Sequence, residues 1–204
     1  MKVLVLYYSM FGHVHQLATA VYEGVLTVSG VEGVIRKVDE FPEVCEKYKN
    51  DEFYARARER QHSIPVCTLE DFEQADGVVL GSPTRYGNVV AQVAKFLGTT
   101  AGLWQRGAME GKPAGLFTST ATTHGGQEST LLSMTIPLLH MGMLIVGVPY
   151  STPGMLHTEG RGGTPYGAST VAGPRNDRQP TKEDLDIARA LGARVAGITR
   201  KVRG

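Results

Sequence analysis

The chain has 204 residues, of which 42% are hydrophobic, and its formal net charge is +1. This length and hydrophobic content are enough for one domain with a full core. The near-neutral net charge shows no electrostatic footprint for nucleic acid. No apolar run approaches the roughly 20 residues that cross a bilayer. Strand-forming residues begin at Val3, so we expect no signal sequence. The two cysteines, Cys45 and Cys67, form no CxxC motif, which predicts a soluble cytoplasmic protein with reduced thiols.

The first part of the chain combines a buried strand, a polar turn and the start of a helix. Val3 to Tyr8 is an unbroken apolar run, typical of a strand buried on both faces. Ser9 and Gly12 follow, and apolar residues then recur at helical spacing from Val14 to Val28. This arrangement directs free backbone N–H groups at an anion, while Ser9 adds a hydroxyl donor and Gly12 allows close approach of the backbone.

The kind of anion can be narrowed from what this turn contains. It has neither the GxxxxGK[ST] motif of nucleoside triphosphate sites nor the GxGxxG motif of dinucleotide sites. No Lys or Arg occurs between Val3 and Val28. Hydroxyls and amides without basic side chains suit a terminal monophosphate such as that of FMN. From the turn alone, an ordinary strand-to-helix connection without a ligand is an equal alternative.

Four further strands are predicted along the chain, at Val31 to Val38, Ala75 to Gly81, Lys112 to Phe117 and Met143 to Val148. The charged segment from Phe41 to Ser63 is predicted to form one helix and a solvated excursion. Leu69 to Ala75 is predicted to be a short helical turn.

The later helices have clearer patterns. One carries Val89, Val93, Phe96 and Leu97 on its apolar face. The next begins near Gln127 and contains Pro137, which we expect to kink it or end it early. The last begins with the capping pair Thr181 and Asp184 and carries one long apolar stripe.

Strands that alternate with helices predict an α/β fold, with a doubly wound five-stranded parallel sheet and helices on both faces. We expect a single domain over residues 1–204, with insertions at about 43–65 and 150–180. The second insertion, Tyr150 to Pro180, is rich in Gly and Pro and shows no period, which is typical of functional loops. The polar segments after the first, third and fourth strands open on one sheet edge, where such sheets bind ligands.

Four segments together resemble the WrbA family of flavodoxin-like NAD(P)H:quinone oxidoreductases, historically named tryptophan-repressor-binding proteins. They are Ser9 to His13, Pro83 to Asn88, Gly125 to Glu128 and Arg161 to Gly167. The resemblance runs from Met1 to the C-terminus, and the last segment is unusually specific. It implies a flavodoxin-like fold, bound FMN, NADH or NADPH as electron donor, a quinone substrate and a homotetramer.

The resemblance also implies a role for individual residues. It assigns FMN contacts to three segments: Ser9, Met10, Phe11, Gly12, His13 and Val14; Pro83, Thr84, Arg85, Tyr86 and Gly87; and Ser119, Thr120, Ala121, Thr122, Thr123 and His124. Phe11 stands where the family often has Tyr, at a position linked to the nicotinamide, so stacking is retained while a hydroxyl is lost. Trp104 matches a tryptophan of the substrate pocket. His140 matches a catalytic histidine beside the flavin, supplied across a subunit interface.

Without the resemblance, simpler interpretations stand beside these. Trp104 lies outside any periodic stripe and would be a packing residue, Arg85 an ordinary exposed loop arginine, and His140 a core or interface histidine. His13 and His15 are two residues apart, with no neighbouring Asp, Glu or Cys to complete a ligand set, so we expect no metal site.

Three functions compete at this stage. The first is two-electron reduction of quinones by a nicotinamide cofactor through FMN, in a ping-pong mechanism. The second is a flavodoxin-type electron carrier, but such carriers are typically strongly acidic and lack the long late insertion. The third is a non-enzymatic partner of a transcription factor, which no feature of the sequence supports. The first is therefore the preferred hypothesis.

Overall fold

A mostly parallel sheet lies at the centre of the computed structural model, which describes residues 1–204. In chain order the elements are β1 (Lys2–Tyr7), α1 (His13–Leu26), β2 (Glu32–Lys37), α2 (Pro42–Lys47), α3 (Glu52–Arg60), α4 (Leu69–Gln74), β3 (Gly77–Arg85), β4 (Asn88–Val89), α5 (Ala91–Gly98), α6 (Ala101–Gln105), β5 (Pro113–Thr120), α7 (Gln127–His140), β6 (Leu144–Ile145), β7 (Gly163–Thr164), β8 (Gly167–Val171) and α8 (Lys182–Arg203). No helix combines the length and apolarity needed to cross a membrane.

The strand order is β2-β1-β3-β5-β8-β7. The first five strands in this order run parallel to their neighbours. The short strands β4 and β7 pair antiparallel with β3 and β8, and β6 adds two residues beside β5. The chain therefore starts one strand in from an edge, adds β2 on that side and then builds outwards on the other side, which is the doubly wound arrangement predicted from the sequence.

The sheet separates two hydrophobic cores. Leu4 and Leu6 of β1 point into one core, which α7 also enters, while Val3 and Val5 point into the other with α1 and α8. Because successive side chains of a strand point to opposite faces, a strand buried on both sides needs an unbroken apolar run. The predicted cover of helices on both faces is confirmed.

Helices α1 and α8 pack at backbone distance. A Cβ at Gly24 would lie 2.0 Å from the carbonyl oxygen of Arg189, and one at Gly192 would lie 2.0 Å from that of Val21. Glycine on both helices therefore permits the close approach. The contact fixes the axis of α1, whose first turn faces the cavity described below.

The predicted fifth strand is wrong over most of its length. Only Leu144–Ile145 pairs with β5, beside Pro113 and Ala114. The rest of that edge of β5 pairs with β8, which lies inside the segment predicted to lack structure. The sequence of β8, Gly-Ala-Ser-Thr-Val, is buried along its whole length but contains no apolar run. Hydrophobic patterning therefore does not detect it.

Asp184 fastens this insertion to the body of the protein. Its buried carboxylate accepts hydrogen bonds from the backbone N–H of Gly162 (2.5 Å), the hydroxyl of Thr170 (2.7 Å) and the backbone N–H of Thr181 (2.9 Å). One side chain thus joins the insertion, β8 and the start of α8. The capping pair predicted for α8 is confirmed, and Asp184 has this second role in addition.

Three helical predictions need correction. The segment predicted as one helix and an excursion contains two helices, α2 and α3. Pro137 does not end α7 early, since the helix continues to His140. A proline this close to the end of a helix removes only one backbone hydrogen bond, which the last turn tolerates. Val89 lies in β4 rather than in the following helix, and α6 was not predicted.

Candidate functional site

The carboxyl ends of β1, β3 and β5 meet at one edge of the sheet, because these strands are parallel neighbours. They surround a cavity of about 130 Å³. Its lining residues are Ser9, Met10, Phe11, His13, Val14, Pro83, Thr84, Arg85, Ser119, Thr120, Ala121, Ala172 and Asn176. The structure therefore brings together residues from all three segments that the sequence singled out, and it adds two from the segment after β8.

The N-terminus of α1 opens on this cavity without a side-chain cap. Gly12 precedes the helix in the left-handed conformation, with φ of 93°, and the first turn carries no acidic residue. The hydroxyl of Ser9 accepts a hydrogen bond from the N–H of Gly12 at 3.1 Å. The first N–H groups of a helix have no partner within it, and the helix dipole makes this end electropositive. These donors suit an anion.

A second helix begins in the same way at the same edge. Gly126 precedes α7 with φ of 89° and no side-chain cap. The turn after β3 packs against it, because a Cβ at Gly126 would lie 2.8 Å from Cα of Gly87. The hydroxyl of Thr130 donates to that of Thr84 at 2.8 Å, and Thr84 accepts from the N–H of Gly87 at 3.1 Å. The turn is thus held firmly over the start of α7.

Side chains that sequence analysis missed support the Ser9 turn from below. The amide of Gln61 donates to the carbonyls of Ser9 (3.2 Å) and Ala57 (2.8 Å), and so ties α3 to the turn. The Tyr8 hydroxyl donates to the buried carboxylate of Glu40 at 2.6 Å, and Gln92 donates to the same carboxylate at 2.7 Å. Burial, and then the bond to Glu40, raise the pKa of Tyr8, so its hydroxyl stays a donor.

His13 is the buried titratable side chain of the cavity. It is 5% exposed, and its Nε2 is buried without a hydrogen-bond partner. Burial lowers the pKa of His13, against the opposing influence of the Arg178 backbone carbonyl. His13 lines the cavity, but its Nε2 has almost no accessible surface and does not open on the cavity.

The segment after β8 forms the last wall of the cavity. Ala172 and Asn176 line it, and Asn176 has φ of 58°, one of two non-glycine residues with positive φ in the chain. The other is Tyr86, whose side chain is fully exposed. Left-handed backbone at non-glycine residues is a strained feature that concentrates at functional sites. The tolerance of asparagine for this conformation was the only signal in the sequence for Asn176.

Other predicted contacts lie around the cavity rather than in its wall. Phe11, which does line the cavity, is half-buried and packs edge-to-face on Tyr48, with ring centroids 6.1 Å apart. Thr123 and His124 line a separate polar cavity beside the insertion. Tyr86 projects into solvent from the turn after β3. These side chains therefore surround the opening, where a ring larger than the cavity would extend.

Trp104 and His140 do not meet the other predicted residues within one chain. They lie together in a shallow groove with Ile136 and Pro137. His140 ends α7 and Gln127 begins it, so the 14-residue helix separates them by about 20 Å. The loop edge lies at the Gln127 end. Trp104 and His140 therefore do not line the cavity of their own chain.

The cavity fits the phosphate end of FMN. It offers free helix N–H groups and the Ser9 hydroxyl, and no Asp or Glu lines it. Its volume suits the phosphate and part of the chain that follows, whereas the turn after β3 and the segment after β5 leave an open edge for a flat ring system. No group of three or more His, Cys, Asp or Glu side chains is placed to hold a metal ion.

Comparison with known structures identifies the fold. A WrbA-like flavodoxin from Agrobacterium tumefaciens is 21% identical with a TM-score of 0.67, covering 98% of both chains. Flavodoxin 1 from Bacillus cereus is 16% identical with a TM-score of 0.62, covering 97% of this chain and 98% of its own. The flavodoxin-like fold is therefore confirmed.

Comparison of sequences identifies the family. The model of the NADPH-dependent FMN reductase family matches residues 1–154. A protein of Geotalea uraniireducens named NAD(P)H dehydrogenase (quinone) is 47% identical and covers 99% of both chains. One of Geobacter sulfurreducens with the same name is 48% identical and covers 100% of both. Since nearly half of all residues agree over the full length, the chain belongs to the NAD(P)H dehydrogenase (quinone) family, as its resemblance to WrbA proteins predicts.

Proposed function

We propose that this protein is an FMN-dependent NAD(P)H:quinone oxidoreductase, which reduces quinones to hydroquinones by two electrons. The names of its relatives and the matching FMN reductase family support this assignment. The observation that carries it is the uncapped N-terminus of α1, which opens beside Ser9 on a cavity without acidic side chains. FMN, when bound, supplies the hydride chemistry, while the protein supplies binding and orientation.

Each wall of the site then has a task. The N–H groups at the start of α1 and the Ser9 hydroxyl hold the phosphate. The strand ends Pro83 to Arg85 and Ser119 to Ala121 flank the flavin. Phe11 offers an apolar face at the opening, on which a planar ring can stack. Arg85 borders the same wall, where its guanidinium donates to the Thr84 carbonyl at 2.9 Å.

Both substrates use this one opening, which implies a ping-pong order. The chain carries no GxGxxG motif for a second nucleotide site. The oxidised nicotinamide must therefore leave before the quinone enters. Initial rates against NADH at several fixed quinone concentrations should give parallel double-reciprocal lines. Intersecting lines together with a detectable ternary complex would require two separate sites and reject the shared opening.

NADH oxidation by purified protein tests the activity itself. We expect it to require both FMN and an added quinone. A flavodoxin-type carrier would bind FMN but turn over no quinone, and a regulatory protein would need neither. FMN binding without quinone-dependent NADH consumption would therefore reject the enzyme in favour of the carrier, whose usual acidity this chain lacks.

The same proposal includes a homotetramer. Trp104 is 58% exposed, and Leu132, Ile136 and Leu139 of α7 are also exposed on the protein surface. Of these, Trp104 and Ile136 border, with His140, an apolar groove of about 470 Å³. Contiguous apolar surface of this kind marks an interaction site. A second copy is the occupant we propose, because it would bring Trp104 and His140 of one chain to the flavin of another. Sedimentation of a monomer with full FMN occupancy and activity would reject this assembly.

Subunit mixing tests whether His140 acts across the interface. Gly12→Val should abolish FMN binding, since β-branched residues avoid the left-handed region, while His140→Ala should impair turnover. After co-refolding, sites with FMN from one variant and His140 from the other become possible. Activity should then rise well above that of either parent. No recovery in proven mixed oligomers would place His140 outside the neighbouring site.

Two broader expectations complete the proposal. We propose one domain over residues 1–204, supported by β8, which joins the late insertion to the central sheet. We also propose a cytoplasmic location, where Cys45 and Cys67, both free, would stay reduced. Cell fractionation tests the location, and mass analysis without a reducing agent tests the thiols. The protein should be found in the cytoplasmic fraction with both cysteines reduced.

A further inference from the structure

The segment after β8, residues 172–180, joins the sheet to helix α1 and borders the cavity between them. At one end, the N–H of Ala172 donates to the carbonyl of Thr120, the last residue of β5, at 2.7 Å. Near the other end, Gln179 accepts a hydrogen bond from Nε2 of Gln16 in α1 at 2.9 Å. The segment is therefore anchored on both sides of the cavity, and the residues between these anchors form one of its walls.

Asn176 is the polar residue of this segment that lines the cavity. It is half-buried, and its backbone N–H donates to the Gly173 carbonyl at 3.1 Å, whereas its side-chain amide has no hydrogen-bond partner in the protein. The neighbouring Asp177 does not line the cavity, and its carboxylate accepts from Nε of Arg175 at 3.1 Å. At this wall the segment thus supplies an unpaired amide, while the carboxylate is held outside.

The backbone at Asn176 is in a conformation that favours glycine. Its φ of 58° lies in the left-handed region, where a side chain costs free energy, although asparagine tolerates the region better than most residues. Strain of this kind is concentrated at ligand-binding sites. A side chain that is kept where glycine would remove the strain indicates that the side chain itself has a task.

A second polar side chain of the cavity wall also lacks a partner. Ser119, near the end of β5, is 5% exposed, and its hydroxyl makes no hydrogen bond within the protein. Polar groups this deeply placed are nearly always paired. The missing partner must accept hydrogen bonds from more than one wall at once. A phosphate monoester, with three strong acceptor oxygens, has this property, and no Asp or Glu lines the cavity to repel it.

We propose that the side-chain amide of Asn176 is a ligand of the phosphate group when a phosphate monoester such as FMN binds at the start of α1. This inference rests on the flavin site proposed above and adds a fourth segment of the chain to it. The amide donates to a phosphate oxygen from the wall after β8, while the N–H groups of α1 and the Ser9 hydroxyl donate from the other walls. The phosphate then links the late insertion to the first helix.

Fluorescence titration of the flavin-free full chain, with FMN and with riboflavin, tests this ligand. Asparagine and aspartate have the same shape, and both aspartate and glycine adopt left-handed backbone, so Asn176→Asp and Asn176→Gly should fold as wild type. Asn176→Gly should weaken FMN binding about tenfold, because one hydrogen bond to a charged group is lost. Asn176→Asp should weaken it about a hundredfold, since it places a negative charge beside the phosphate. Riboflavin has no phosphate, so its affinity should not change.

Asn50→Asp is the matched control for the added negative charge. Asn50 is exposed and does not line the cavity, so this variant should bind FMN as wild type does. Equal weakening in Asn50→Asp and Asn176→Asp would reduce the effect to net charge and overturn the assignment.

The other outcomes separate this inference from the proposed function. Unchanged FMN affinity in either variant of Asn176, or equal losses for FMN and riboflavin, would overturn the role of the amide and leave the flavin site standing. Absence of FMN binding by the wild-type protein would overturn both.

Discussion

Gly12→Ala tests the flavin site through backbone conformation alone. Gly12 has φ of 93°, and an added Cβ would lie 3.7 Å from Ala57 Cβ, an ordinary contact. The penalty therefore comes from the left-handed backbone and amounts to about 1–2 kcal/mol. The free protein relieves this strain when residue 12 leaves that region, which turns the N–H groups away from the cavity. Binding must restore them, so the dissociation constant for FMN should rise about 5- to 30-fold.

Gly30 provides the matched control for this experiment. Its φ is 78°, nothing lies within 4 Å of an added Cβ, and it lies outside the site. Flavin fluorescence titration should show weaker FMN binding for Gly12→Ala and unchanged binding for Gly30→Ala. Urea unfolding of the free proteins should show little loss for Gly12→Ala, because the free protein relieves the strain. Unchanged FMN affinity in a Gly12→Ala protein that has lost no stability would show that the phosphate does not rest on the start of α1.

Three further predictions concern packing, turnover and pH. Gly192→Ala should lower the free energy of unfolding by about 1–3 kcal/mol, because its Cβ would lie 2.0 Å from a carbonyl of α1; Gly197→Ala, with open space, should be neutral or stabilising in the same urea titration. His140→Ala should lower kcat about a hundredfold with unchanged FMN affinity, and a loss below tenfold would indicate that positioning dominates. Burial lowers the pKa of His13 and His15, so the unfolded chain binds more protons. The free protein should therefore lose stability as pH falls below about 6.5, less so in His13→Gln.

The fold was predictable where burial leaves a pattern in the sequence. β1 is covered on both faces, and its sequence is accordingly an apolar run from Val3. The start of α8 is indicated by the capping pair Thr181 and Asp184. β8 is equally buried but consists of small and polar residues, whose hydroxyls are paired within the protein: Thr170 donates to Asp184. Its burial depends on partners far along the chain, and no local period records them.

The site, like the fold, was predictable where it depends on a local sequence pattern, and not where it depends on distant segments. The Ser9 turn follows directly from strand, turn and helix, so its place at the sheet edge could be inferred. Asn176 and Gln61 come from distant segments and reach the cavity or the turn only through tertiary packing. The resemblance singled out Trp104 and His140. Only the structure shows that both lie in a groove at the far end of α7, one helix length from the cavity edge of the sheet.

The features around the cavity share a physical logic. Helices α3, α4 and α8 satisfy their first N–H groups with their own side chains, Asp51, Thr68 and Thr181. Helix α1 does not, nor does α7, which begins at the same edge, nor do α2, α5 and α6. Beside the free end of α1 lies the left-handed Asn176, whose backbone conformation costs stability in the free protein. A single anion at this point would pair with the free N–H groups of α1 and would rest against the strained turn. Independent local costs that one ligand can offset are stronger evidence for a binding site than any one motif in the sequence.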